Sequence, residues 1–145
     1  MSETTPPPED VFLLLQHAQS ALKRLAEWEF RRIGIGLSEY TFLRVIERLP
    51  HATASDVRKR LGTTAPAIAQ TVGLLERKHL IERQKDVRDI RIQRISLTKK
   101  GLTAMRDART ILVRKLRHAQ LSEEKLSTLQ HQLGLIVSAL AMEEE

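Results

Sequence analysis

Apolar residues recur every three or four positions near both ends of the chain, which is the spacing of amphipathic helices. The first such segment runs from Glu9 to about Arg32, where two glycines stop it. The same spacing predicts a helix from Thr98 to about Gln120 and a final helix capped by Ser122. These long helices carry more apolar surface than a small domain can cover by itself.

Shorter helical segments are predicted in the middle of the chain. Ser38 is expected to cap the first of them, and Pro50 to end it. Residues Thr53 to Asp56 resemble a capping box, which would open a second short helix that Gly62 closes. The turn after Gly62 is therefore expected to join two short helices.

The helix after that turn has two different faces. Thr64 is its expected N-cap, Pro66 is tolerated in its first turn, and it is expected to end near Lys78. The positions expected to face the core are Ile68, Val72 and Leu75. The opposite face carries small or weakly charged residues, namely Pro66, Ala67, Gln70, Gly73 and Arg77.

The stretch from Leu80 to Thr98 has the features of a β-hairpin with a cationic tip. The apolar positions of the ribbon are expected at Ile90, Ile92, Ile95 and Leu97, and residues 86–89 suit its turn. A ribbon that holds guanidinium groups in a row fits a sugar-phosphate backbone or a narrow minor groove. Basic residues recur along the whole stretch at Arg83, Lys85, Arg88, Arg91 and Arg94.

Two short helices followed by a β-ribbon predict a winged helix-turn-helix. The fold class expected is therefore mainly α with a small β-hairpin wing, flanked by dimerisation helices. Gln70 suits a base edge, most naturally adenine, although it is alternatively an ordinary solvent-exposed residue. The residues expected at DNA are Thr64, Pro66, Ala67, Gln70, Arg77, Lys85, Arg88 and Arg91. The alternative for Arg91 is an ion pair with Asp86 or Asp89 that holds the shape of the hairpin. Arg77, together with Lys78 and Arg83, is expected at phosphates rather than bases.

Composition supports this interpretation without deciding it. The chain has 145 residues, a net charge of +6 and only 3% aromatic residues, so its core must be mainly aliphatic. A basic balance favours nucleic acid or another anionic surface, and the alternative is a solubilising surface excess. The absence of cysteine excludes disulfides, cysteine-bound zinc and thiol redox sensing.

Other functional classes find little support in the sequence. No apolar run reaches the length of a membrane span, and no basic start precedes an apolar block, so a cytoplasmic protein is expected. The five histidines show no metal-ligand spacing. No nucleophile, carboxylate pair or phosphate loop stands out, so neither enzymatic activity nor a cofactor is expected.

The ordered motifs of the central region resemble a known family. Asp86-x-Arg88-Asp89-x-Arg91, followed by Leu97-Thr98-x-x-Gly101, is similar to the wing and post-wing signature of the MarR/SlyA family of transcriptional regulators. The helix exit and the helix-turn-helix entry look like those of the family at Leu75–Arg83 and Thr53–Val57, and the last helix starts similarly at Leu121-Ser122-x-Glu124. The resemblance implies a homodimeric DNA-binding protein, usually a repressor, that a small anionic or phenolic ligand releases.

Two residues depart from the family pattern. His79 stands where the family usually has Gly for a left-handed exit from the helix, a conformation that His tolerates better than most residues. Arg58 stands where the family usually has a small Ala. Its side chain is expected either to extend to solvent or the DNA backbone, or to change how its helix packs.

The domain organisation follows from these assignments. Residues 1–8 are expected to be disordered, residues 9–36 and 102–145 to form a helical dimerisation region, and residues 37–101 to form the DNA-binding domain. A dimer would place two recognition helices roughly 34 Å apart on a pseudo-palindromic site in double-stranded DNA. The alternative is that the terminal helices pack only within one chain.

An effector site is expected near the end of the first helix. Trp28, Phe30 and Arg31, with the neighbouring Arg32, place aromatic rings beside guanidinium groups, which suits a small aromatic or anionic effector. The alternative is that Trp28 belongs to the core. The predicted function is a dimeric, sequence-specific DNA-binding regulator, a repressor relieved by a small molecule. The alternative function is a winged-helix protein-interaction module that does not read DNA.

Overall fold

The computed structural model describes residues 5–141, so predictions that concern residues 1–4 and the acidic end at 142–145 lie outside it. Residues 5–7 have no regular secondary structure, and Pro8 and Glu9 turn into the first helix. The helices are α1 (Asp10–Glu29), α2 (Leu37–Arg48), α3 (Ala54–Leu61), α4 (Ala65–Arg77), α5 (Lys99–Arg117) and α6 (Glu123–Ala141). A 3-10 turn, Phe30–Arg32, follows α1, and the strands are β1 (Ile81–Lys85) and β2 (Gln93–Leu97).

The described residues form two compact units, which divide between Arg109 and Thr110. The first unit contains α1 to α4, the hairpin and the first half of α5, and the second contains the rest of α5 with α6. The largest fully buried side chains all belong to the first unit: Phe30, Phe42, Leu43, Val57, Leu75, Ile95 and Met105. They are mainly aliphatic and aromatic groups of the central helices and the hairpin.

The start of α2 differs from the sequence-based prediction. Gly36, not Ser38, is the N-cap, and the helix begins at Leu37. The backbone N–H of Gly36 donates to Oε1 of Glu39 at 3.1 Å, so the glutamate reaches back over the first turn. Ser38 lies inside that turn because Glu39, three residues after Gly36, fixes the boundary. The helix ends at Arg48, two residues before Pro50.

The helix-turn-helix entry is confirmed in detail. Thr53 Oγ1 accepts from the N–H of Asp56 at 3.1 Å, and Asp56 Oδ2 accepts from the N–H of Thr53 at 2.9 Å. The Thr53 backbone donor is the main reason that the pKa of Asp56 lies below its ordinary value. Gly62 closes α3 at a φ of 61°, and Thr64 Oγ1 caps α4 by accepting from the N–H of Ala67.

The hairpin is antiparallel, with Ile81 opposite Leu97 and Lys85 opposite Gln93. The expectation that Ile90 and Ile92 line the ribbon is wrong: Ile90 lies in the turn and is exposed, and Ile92 precedes β2. The turn is longer than predicted: the Asp86 carboxylate accepts from the N–H groups of Arg88 and Asp89, and the Asp86 N–H donates across the turn to the Ile92 carbonyl, so β2 starts at Gln93. Ile95 is buried as expected, and its N–H donates to the Ala52 carbonyl at 2.9 Å.

A tight joint connects α4 to the hairpin and the hairpin to α5. His79 leaves α4 at a φ of 58°, and the N–H of Leu80 donates to the Leu75 carbonyl, so the left-handed exit is confirmed. Thr98 Oγ1 donates to the His79 carbonyl at 2.7 Å and accepts from the N–H of Gly101. A Cβ at Gly101 would lie 1.9 Å from the Leu80 carbonyl oxygen. Only glycine allows α5 to pass so close to the strand.

The terminal helices bury little. Within α1 only Ala26 is buried, and no residue of α6 is. Large apolar side chains are exposed on both: Val11, Phe12, Leu13, Leu14, Leu22, Leu129, Leu135, Val137 and Leu140. Among residues 5–141, no helix is both long and apolar enough to cross a membrane.

Candidate nucleic-acid interface

The two faces of α4 are those predicted. Ile68, Val72 and Leu75 are buried. The opposite face presents small exposed residues in its first half, and the one long polar side chain among them is Gln70. The exposed positions are Ala65, Pro66, Ala67, Ala69, Gln70 and Arg77. This face can approach another surface closely and still offer one amide to a hydrogen-bond partner.

A groove runs beside this face, between α3, α4 and the first strand. Its volume is about 380 Å³, and Arg58 lies on its wall with Ser55 and Arg83. The half-buried side chain of Arg58 therefore lines an open groove. The sequence had already marked this position as unusual, because Arg58 stands where the family usually has Ala.

Asp86 orders the tip of the hairpin. Its Oδ1 accepts from the backbone N–H groups of Arg88 at 2.8 Å and Asp89 at 3.0 Å, and its Oδ2 accepts from Arg94 Nε at 3.0 Å. These bonds, the one from Arg88 first, hold the pKa of Asp86 below its ordinary value. The guanidinium of Arg88 is exposed and forms no ion pair within residues 5–141. The backbone of the tip is thus fixed while its cation stays available.

Arg91 forms the ion pair that was the alternative to a DNA contact. Its Nε and Nη2 donate to the two carboxylate oxygens of Asp89, at 3.0 and 2.9 Å. This side-chain pair lowers the pKa of Asp89 and raises the pKa of Arg91. Arg91 therefore braces the turn and still projects into solvent. Sequence reasoning missed that Arg94, rather than Arg91, pairs with Asp86.

Two of the three cations expected at phosphates already have partners. Lys78 Nζ donates to both carboxylate oxygens of the buried Glu39, each at 2.8 Å. Arg83 pairs with Glu76 and donates to the Gln93 side chain at 3.1 Å. The side chains of Arg77 and Lys85 remain exposed without an ion pair in the described chain.

The expected effector residues lie in different surroundings. Trp28 is 75% exposed, and Arg31 is exposed as well. Phe30 is fully buried and packs on Tyr40, with ring centroids 5.7 Å apart. Among the residues described, no group of three acidic or histidine side chains is arranged to hold a metal ion.

Comparison with known proteins points to the region that contains α4 and the wing. A sequence profile of the MarR family matches residues 33–92. A search of curated protein sequences gives no match. That profile covers the region from the end of the 3-10 turn to the wing, which contains α2, α3, α4 and β1.

Solved structures resemble nearly the whole chain. The S. aureus MepR–DNA complex is 25% identical, with a TM-score of 0.74, over 92% of this chain and 96% of that one. A mutant of E. coli MarR complexed with operator DNA is 18% identical, with a TM-score of 0.73, over 88% and 93% of the two chains. Streptomyces coelicolor PcaV, in complex with its natural ligand, is 20% identical, with a TM-score of 0.72, over 97% and 99%. Residues 33–92 thus match the MarR family, and nearly the whole chain has the winged-helix fold of these solved structures.

Proposed function

We propose that the protein is a dimeric, sequence-specific regulator that represses transcription and is released from DNA by a small molecule. The observation that carries the proposal is the joint exposure of the small-residue face of α4 and the unpaired Arg88 at an ordered wing tip. A helix with small side chains can enter the major groove, and an adjacent ribbon can reach the next minor groove. Bound DNA would then supply the partner that the α4 face and the Arg88 guanidinium lack within the described chain.

The roles of individual residues follow from their chemistry. Gln70 would pair with a base edge, most naturally adenine, while Pro66 and Ala67 allow close approach. Thr64, Arg77 and Lys85 would contact the phosphate backbone and set the register. Arg88 would enter a narrow minor groove, and Arg91 would lie beside it while bracing Asp89. All of these residues would act on one duplex.

A second copy of the chain would cover the apolar surface of the terminal helices. Large side chains are exposed on α1 and α6, for example Leu14 at 67% and Val137 at 66%. Pairing of such faces buries them, and a two-fold axis would place two recognition helices about one DNA turn, roughly 34 Å, apart. The operator would then be pseudo-palindromic.

Release by a small molecule has a candidate place in the first unit. A cleft of about 410 Å³ lies between α1, α2 and α4, with Gln19, Ser38 and Thr71 on its walls. A ligand there would touch the helix that reads DNA and bias its position, provided it binds the DNA-free arrangement better. PcaV has been solved with its natural ligand. Trp28, Phe30 and Arg31 do not line this cleft, so an effector bound there would not contact them.

A second candidate function is a protein-interaction module that does not read DNA. The observation in its favour is the apolar character of the wing: Val87 is 100% exposed and Ile90 is 72% exposed. Exposed apolar side chains at a loop tip are a common feature of protein-binding surfaces. Either function would operate in the cytoplasm, without enzymatic activity.

Selection from a pool of random duplexes tests the proposal. A repressor of this kind should enrich a pseudo-palindrome with half-sites about one turn apart, and its affinity should fall steeply with salt, by about −0.9 in log–log slope per phosphate contact. Gln70→Ala should relax the preference for one base and spare non-specific binding. The interaction module would be favoured if no duplex were enriched and if any remaining binding to duplex DNA did not depend on salt.

A further inference from the structure

Outside the surface formed by α4 and the wing, a cluster of positive charge lies where α2 and α3 end. Arg48 is in the last turn of α2, and Lys59 and Arg60 are in the last turn of α3. All three are exposed, and none of them forms an ion pair within residues 5–141. Together with Arg94 of β2, we call these residues the lateral cationic face.

The lateral cationic face is concave. Two open clefts share Arg48, Leu49 and Arg60 as lining residues. The smaller, about 270 Å³, extends along α2, and the larger, about 670 Å³, extends to Lys59 and Arg94. A trough lined by cations suits a ridge of negative charge, which is the shape of a nucleic-acid backbone.

Acidic residues at this trough are few and engaged. Asp56 lines the larger cleft, and its carboxylate closes the capping box with Thr53. Glu47 is paired with Arg44, one turn before the end of α2. Lys59 is close enough to Asp56 to help lower the pKa of that carboxyl, but neither Lys59 nor Arg48 nor Arg60 forms an ion pair within the described chain.

The lateral cationic face is continuous with the wing. Arg94 Nη1 donates to the His51 carbonyl at 3.3 Å, and its Nε donates to Asp86 at 3.0 Å. Asp86 is the residue that orders the backbone of Arg88 at the wing tip. A duplex that lies against the wing would therefore meet Arg94 next, followed by the ends of α3 and α2.

Neither helix dipoles nor a protein partner accounts for the lateral cationic face as well as a polyanion does. Cations in the last turn of a helix complement its dipole, but this effect needs neither three of them nor a shared trough. A protein partner needs an apolar anchor at the centre of its interface. The trough offers Leu49, which is 37% exposed, and the exposed Pro50. The charge and shape favour a polyanion over a protein.

We infer that the lateral cationic face binds the phosphate backbone of duplex DNA beyond each half-site, so that the flanking DNA bends toward α2 and α3. The inference rests on the proposed function, because it needs a duplex already held by α4 and the wing. It predicts that the protein protects and bends more DNA than its two half-sites contain. Flanking DNA would contribute affinity without contributing base preference.

The test compares two duplexes and three variants of the full-length protein, of which Arg48→Gln is the third. One duplex ends at the outer edge of the wing contacts, and the other extends about one further turn, about 10 base pairs, on each side. The variant Lys59→Gln/Arg60→Gln removes two adjacent cations of the face. Its matched control, Lys99→Gln/Lys100→Gln, removes two adjacent exposed lysines at the start of α5. Thermal melting checks that all three variants are folded.

Wild-type protein and the control should bind the extended duplex more tightly and with a steeper salt dependence. Lys59→Gln/Arg60→Gln should lose that gain, with a slope lower by up to about 2 per protomer, and should bind the short duplex as wild type does. Arg48→Gln should lose part of the gain.

Equal wild-type affinity for both duplexes would overturn the inference, and so would an equal loss on both for the variant. The inference would also be overturned if affinity did not depend on duplex length while the lateral cationic face bound polyglutamate, since that result would assign the face to an acidic protein. No binding to any duplex would instead refute the proposed function.

Discussion

The central winged-helix region buries many of its large apolar side chains, whereas the terminal helices leave many of theirs exposed. Helices α2 and α4 each bury a row of apolar residues, α3 buries Val57, and side chains such as Thr53, Thr64 and Glu39 close the helix ends. In contrast, α1 buries only Ala26, and α6 buries none of its residues. The sequence therefore buries apolar residues of the central helices within one chain and leaves many of those of the flanking helices exposed.

The cations of the central region are of two kinds, those paired with a carboxylate and those without an ion pair among residues 5–141. Within the central region, carboxylates fix cations in place: Glu39 holds Lys78, Asp89 holds Arg91 and Asp86 holds Arg94. Arg88 has no ion pair beside them in the described chain. Ion pairs at exposed sites contribute little stability, but they restrict the geometry of the wing, and this matters for a surface that must match DNA.

The largest effect should come from removing the surface that a second copy would cover. Truncation after Gln120 deletes α6 and should give monomers or aggregates. Loss of the tether between two half-site contacts should lower affinity for a full operator by about 10²–10⁴-fold. Sedimentation and titration on full and half operators measure both effects. A truncated protein that stays dimeric would place the interface elsewhere.

The second effect contrasts two glycines, one in each region. A Cβ at Gly101 would meet the Leu80 carbonyl, so Gly101→Ala should destabilise by about 2–3 kcal/mol. A Cβ at Gly134, inside α6, meets nothing within 4 Å, so Gly134→Ala should stabilise α6 by about 0.5–1 kcal/mol. Urea unfolding measures both changes. If Gly101→Ala unfolds like wild type, the joint at Thr98 is looser than described.

A smaller effect tests the exit from α4. His79 adopts a left-handed conformation that costs most residues with a side chain about 1–2 kcal/mol, whereas glycine adopts it freely. His79→Gly should therefore raise the free energy of unfolding by about 0.5–1 kcal/mol, after the entropy cost of glycine. Urea unfolding would show this as a higher midpoint with an unchanged slope. A lower midpoint would mean that the imidazole makes a stabilising contact.

The smallest effect is the response of the wing to pH. Because the pKa values of Asp86 and Asp89 lie below 3.8, the stabilisation they give is fully present above that value and is lost as pH falls through the lowered pKa values. The amide resonances of Arg88 and Asp89 should stay constant from neutrality to about pH 5. A carboxyl titration with midpoints above 3.8 would contradict the hydrogen bonding described for the tip.

Much of the fold could be predicted from the sequence because its signals are local. Helix spacing, the Thr53 capping box and the left-handed Gly62 depend on residues close together in the chain, and the structure contains them. The expected start of α2 at Ser38 was wrong by two positions, because Glu39 reaches back to Gly36. The strand assignment of Ile90 failed since a composition rich in β-branched residues does not reveal a turn held by Asp86.

The candidate site was harder to predict, because its contacts are long-range. The exposed face of α4 follows from periodicity. The pairing of Lys78 with Glu39 joins residues 39 positions apart, and the trough beside Arg94 joins α2, α3 and β2. No local pattern encodes these contacts. Phe30 resembled a pocket residue because it neighbours Trp28 and Arg31, yet it packs on Tyr40 in the core.

The most direct test of the account is a titration of Arg88→Ala on one selected operator, with Arg91→Ala and thermal melts alongside. The account predicts that Arg88→Ala loses roughly 1–3 kcal/mol of binding free energy and melts like wild type, because its guanidinium has no ion-pair partner in the described chain. Arg91→Ala should weaken binding and also release Asp89. Wild-type affinity for Arg88→Ala would remove the wing tip from the DNA interface and contradict the account.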